Sequence, residues 1–99
     1  MIYSKFWYDV LFVLNSADPV GLIGGGAPQD EYASECDMII SSLKACETSE
    51  DLSNSVLEIF KRQFGGVEID LNSCKEIGGK VWILWQKKIK QEERRNLIK

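Results

Sequence analysis

Ninety-nine residues, 44% of them hydrophobic and 27% charged, suffice for one domain around one core and exclude a disordered or fibrous chain. The net charge of −3 conceals an uneven split: residues 1–60 carry ten acids against Lys5 and Lys44, a net −8, while residues 61–99 carry ten bases against five acids, a net +5. Such an acidic front half disfavours nucleic acid and suits a basic partner, although oppositely charged helices can also complement one another inside a fold.

The apolar stretch 6–14 is too short to span a bilayer and contains Asp9. It also lacks the basic start and small-residue cleavage site of a secretory signal, so the expectation is a cytoplasmic protein without a membrane segment. Cys36, Cys46 and Cys74 are odd in number and form no C-x-x-C pair. Cys36 and Cys74 fall on apolar helix faces and read as reduced, buried thiols. With no histidine in the chain, no zinc site is expected.

The first helix is predicted over residues 3–16. Phe6, Val10 and Val13 or Leu14 recur at helical spacing, and Tyr3, Trp7, Leu11 and Leu14 form a second apolar stripe beside them. Apolar residues over so much of the circumference predict a central helix covered on more than one side. Asp18-Pro19 stops it, because proline disfavours helical geometry in the residue before it. Residues 18–32 then hold both prolines and four of the eight glycines, which predicts a shaped loop. Within it Val20, Leu22 and Ile23 fold back onto the core. Pro28 suits the first turn of the next helix, with Asp30 and Glu31 at its positive end.

The second helix is predicted over residues 30–46, with an apolar seam of Tyr32, Cys36, Ile39, Leu43 and Cys46. Glu35, Asp37, Ser41, Ser42 and Lys44 lie off that seam. Thr48 or Ser49 caps a third helix with Glu50 and Asp51 in its first turn, and Gly65-Gly66 ends it. Residues 67–71 alternate apolar and acidic and read as an extended connector, too isolated to found a sheet. The last helix opens at Asn72 or Ser73, where Ser73 and Glu76 suit a capping box. Cys74, Ile77, Val81, Leu84 and Trp85 face inward. Gly78-Gly79 costs roughly 1 kcal/mol per glycine relative to alanine, and close helix packing is the expected reason. The charged tail 86–99 continues the helix on a solvated face. The fold class is therefore all-α: about four helices in one domain with one long ordered Gly/Pro loop.

The residues offer little for catalysis. Histidine, the commonest acid–base group, is missing. No Lys-Ser or Lys-Thr follows Gly24-Gly25-Gly26, and acids stand where a phosphate would sit. Asp30, Glu31, Glu35 and Asp37 are interrupted by a helix onset and do not alternate as calcium ligands do. No cofactor, metal or catalytic group is assigned, and a binding protein is the expectation.

Asp18-Pro19-x-Gly21-Leu22, Gly-Ala-Pro at 26–28 and Asp30-Glu31-Tyr32 together resemble a family of small helical bacterial proteins typified by the Bacillus protein YugE. Immunity proteins of contact-dependent growth inhibition systems also occur in that family. Phe64-Gly65, the acidic link, Cys74 and Val81-Trp82-x-x-Trp85 fit as well, so the resemblance covers nearly the whole chain. It departs at Ala33, where an aspartate often follows the tyrosine, and at Gly78-Gly79. The resemblance implies an inhibitor that neutralises a cognate toxin domain without covalent chemistry. Asp30, Glu31, Glu35, Asp37, Glu47, Glu50 and Asp51 are the expected partner-binding acids, since many such toxins are nucleases with basic grooves. The alternative is a small cytoplasmic adaptor or structural protein of the same family whose partner is not a toxin. In the residues themselves, Asp18, Gly21, Pro28 and Tyr32 look like fold-making positions.

Overall fold

The computed structural model describes residues 4–65 and 67–98; the expectations that involved Tyr3, Gly66 and Lys99 lie outside them. Four α-helices are present, and no strand occurs among the described residues. Helix α1 spans Lys5–Ala17, and Ser4 caps it by accepting the Trp7 N–H. Helix α2 spans Ala33–Ser42 and runs on as a 3-10 turn, Leu43–Ala45. Helix α3 spans Ser49–Gln63, and α4 spans Leu71–Ile98.

The helices form a ring in which α1 packs on α2 and α4, and α3 packs on α2 and α4. Side-chain contacts fix the directions. Phe6 lies 6.1 Å from Trp85 between ring centroids, while the Ser73 hydroxyl donates to the Ala17 carbonyl, so α1 and α4 are antiparallel. Trp7 meets Asp37 and Asn15 meets Gln29, which makes α1 and α2 antiparallel. Inside the ring the core comprises Trp7, Val10, Leu11, Leu14, Tyr32, Cys36, Ile39, Leu43, Leu52, Val56, Phe60, Cys74, Ile77 and Val81. Cys36, Cys46 and Cys74 are free thiols, with Cys36 and Cys74 buried and Cys46 half-buried. Burial and the neighbouring Asp37 charge push the Cys36 thiol up to about 12, so it stays protonated and inert.

Helix α1 is covered on more than one side, by α2 and α4, as expected, while Phe12 (72% exposed) and Tyr8 (53%) face outward. Two sequence expectations change. First, α2 starts at Ala33, and Asp30 and Glu31 lie in the turns before it. Those turns are closed by Glu31 N–H to the Pro28 carbonyl and Ala33 N–H to the Asp30 carbonyl. Pro28 therefore sits outside the helix. Second, Ser73 and Glu76 form no capping box. Helix α4 begins earlier, and Asp70 caps it by accepting the N–H groups of Asn72 (3.0 Å) and Ser73 (3.4 Å). The side chain nearest the orphan amides wins, and Glu76 instead pairs with Lys80. At α3 the expected Thr48 cap is present and closes as a capping box: Thr48 accepts from Asp51 N–H and the Asp51 carboxylate accepts from Thr48 N–H.

The link from α1 to α2 is built around one carboxylate. Asp18 adopts a left-handed conformation (φ 46°), which aspartate tolerates better than most residues, and its N–H closes the helix on the Leu14 carbonyl. Its side chain then accepts the N–H of Ile23 (3.0 Å), the N–H of Gly24 (2.9 Å) and the Tyr32 hydroxyl (2.6 Å). Burial opposes the Asp18 charge, but these hydrogen bonds outweigh it and hold the carboxyl below its ordinary value. Burial and the same carboxylate push Tyr32 up to about 12. The Tyr32 ring is fully buried, 5.7 Å edge-on to Phe60, and Val20, Leu22 and Ile23 pack half-buried against the core.

Candidate functional site

Helices α2 and α3 leave a groove of about 620 Å3 lined by Asp37, Met38, Ser41, Ser42, Asn54, Ser55, Glu58, Ile59 and Arg62. Its position follows from local sequence. On α2 the seam Cys36, Ile39 and Leu43 turns inward, which leaves Met38 and Ser41 outward. On α3, Leu52, Val56 and Phe60 turn inward, and Asn54, Glu58 and Arg62, four residues apart, line the outer side.

Of the expected partner-binding acids, only Asp37 lines this groove. Asp30 and Glu31 are exposed just before α2, and Glu47 and Glu50 are exposed where α2 gives way to α3. Glu50 lies with Leu71, Cys74 and Lys75 between α3 and α4. Asp37 lies on the groove and is held in place, because its carboxylate accepts the Trp7 indole N–H at 2.6 Å. A carboxylate fixed in this way is already organised for a partner and loses little freedom on binding.

Two expected residues play different parts. Glu35 is not on the solvated face: it is only 4% exposed. Burial raises its pKa most, its own backbone N–H pulls it down, and the Glu31 charge raises it further. Asp51 is exposed, yet both its backbone and its carboxylate are spent on the α3 capping box. Sequence reasoning missed Met38, Glu58 and Arg62. The four-residue spacing of Asn54, Glu58 and Arg62 opposite the seam was the signal that placed them together.

Glu58 and Arg62 give the groove both signs of charge beside the hydroxyls of Ser41, Ser42 and Ser55. Among the described residues no three His, Cys, Asp or Glu side chains converge as metal ligands do, and no helix is long and apolar enough to cross a membrane. The groove thus combines charged and hydroxyl side chains with the apolar Met38 and Ile59. Comparison with protein-family models, with curated proteins and with solved structures finds no match to the chain.

Proposed function

We propose that the protein is an immunity protein: it binds a cognate toxin domain non-covalently through the acidic α2–α3 side and neutralises it. One observation carries this reading. Among the described residues the ion pairs are Lys5–Asp9, Lys80–Glu76 and Lys88–Glu92, each within one helix. None of these pairs joins the basic back half to the acidic front half, and none involves the exposed Asp30, Glu31, Glu47 or Glu50. Exposed carboxylates attract a basic surface over about a Debye length and raise the association rate. The sequence resemblance to immunity proteins points to the kind of partner.

In this mechanism Asp37 and the groove form the centre of contact, while the exposed acids steer and orient. A basic side chain of the toxin entering between Asp37 and Glu58 exchanges water for charge-assisted hydrogen bonds. The toxin groove so filled is closed to its substrate. The test is co-expression with the toxin domain encoded beside this gene. Rescue of growth and co-purification as a 1:1 complex are expected. A toxin that kills undiminished, with no complex recovered, overturns the reading.

A further inference from the structure

Across the ring from the acidic groove, α1 and α4 leave a second groove of about 350 Å3 lined by Asp9, Phe12, Val13, Lys80, Ile83 and Leu84. Its rim carries Phe12, 72% exposed, and Ile83, 53% exposed, above half-buried Val13 and Leu84. Folding leaves this apolar surface in water, where a second molecule can cover it.

The charges around it identify the occupant. Because α1 and α4 are antiparallel, with Phe6 opposite Trp85 and Ala17 opposite Ser73, Asp9 lies toward the Ile83 end of the groove. Lys80 lies toward the Phe12 end. The anion and the cation thus occupy opposite corners of the patch, and the two apolar side chains occupy the other corners. A surface of one sign would fit a partner of the opposite sign, but this one is complementary to itself. A two-fold axis through Phe12 and Ile83 sets each Asp9 against the partner's Lys80.

We propose that this face pairs with a second copy of the chain. Phe12 stacks on the partner's Phe12, Ile83 packs on the partner's Ile83, and two Asp9–Lys80 pairs close the edges. The present intrahelical pairs, Lys5–Asp9 at 2.8 Å and Lys80–Glu76 at 3.5 Å, are exposed and exchange partners at little cost. Two apolar side chains per copy fall short of the roughly 800 Å2 per partner of a tight interface, so the dimer is weak and concentration-dependent. It leaves the α2–α3 side open and does not rest on the immunity reading.

Sedimentation of the full chain from roughly 10 µM to 1 mM tests it. The wild type shifts from monomer to dimer across that range. Phe12→Glu stays monomeric with an unchanged melting temperature, and Ile83→Glu does the same from the other helix. Asp9→Lys and Lys80→Asp each weaken the dimer about tenfold, and the double reversal restores it to within about threefold. A wild type that remains monomeric at about 1 mM overturns the proposal. So does a dimer indifferent to Phe12→Glu, or charge reversals that add instead of compensating. If the wild type is monomeric and Phe12→Glu abolishes toxin binding, the face belongs to the toxin and not to a second copy.

Discussion

The adjacent glycines of α4 make opposite predictions. A Cβ on Gly78 would overlap the Ser53 hydroxyl and lie 2.8 Å from Ser53 Cα and 2.9 Å from its Cβ, whereas a Cβ on Gly79 meets nothing within 4 Å. The obstruction at Gly78 is backbone, so α3 and α4 must separate by about 0.6 Å to reach ordinary 3.4 Å contact. Adding a methyl group to a packed interface costs about 1–3 kcal/mol, and an immovable neighbour puts this case at the upper end. Alanine returns about 1 kcal/mol of helix propensity. Gly78→Ala should therefore destabilise by about 1–2 kcal/mol, lowering the melting temperature by roughly 5–15 °C in a domain of this size. Gly79→Ala should stabilise by about 0.5–1 kcal/mol. Urea titrations of both variants at constant m-value measure the difference. Removing the Ser53 hydroxyl should not rescue Gly78→Ala, because Ser53 Cα and Cβ remain. If both substitutions move stability the same way, the close α3–α4 approach at Gly78 is refuted.

Four further substitutions, with one control, test the side chains that hold the fold together. Tyr32→Phe removes the hydroxyl that donates to Asp18 and should cost about 1–2 kcal/mol. It should also abolish an alkaline loss of stability, since a folded pKa raised from 10.0 to about 12 gives stability present below pH 10.0 and lost as pH rises through about 12. Asp18 has the opposite sign: its lowered pKa contributes stability above pH 3.8 that disappears as pH falls through the folded value, so Asp18→Asn should lose most relative to wild type near neutrality and least in strong acid, by thermal melts across pH. Glu35→Gln should stabilise the protein at neutral pH, because the raised pKa of the buried acid makes its charge costly there. That advantage should fade below pH 4.5, and melts at matched pH values would refute it if the variant were less stable at neutrality. Asp51→Ala should cost about 0.5–2 kcal/mol through the lost capping box while Glu50→Ala leaves stability unchanged, as differential scanning calorimetry would show.

The helices and their inward faces were legible because apolar residues recur at helical spacing. Cys36, Ile39 and Leu43, or Cys74, Ile77 and Val81, point inward as that spacing requires. The helix ends were harder to read. Several polar side chains compete for the same orphan amides, and Asp70, nearest to them, prevails over Ser73 at a point where its own N–H also reaches the Pro19 carbonyl just past α1. The role of Asp18 was half visible: the proline after it marks a helix stop, but its bonds to Ile23, Gly24 and Tyr32 depend on how the loop closes. The acids illustrate the same divide. Asp30, Glu31, Glu47 and Glu50 are exposed as their polarity suggests, whereas Glu35 is buried against its polarity by packing that no local signal announces. Glu58 and Arg62 joined the groove for a similar reason, since a pairing of two helix faces is not written in either helix alone.

The immunity proposal is tested by calorimetric titration of the purified chain into any toxin domain encoded beside its gene, with the Asp30→Asn, Glu31→Gln, Glu47→Gln, Glu50→Gln variant alongside. Binding at 1:1 by the wild type that weakens with added salt, and binding at least tenfold weaker by the variant at unchanged stability, are expected. Equal affinity of both chains at low salt, or no heat of binding from the wild type, would contradict it.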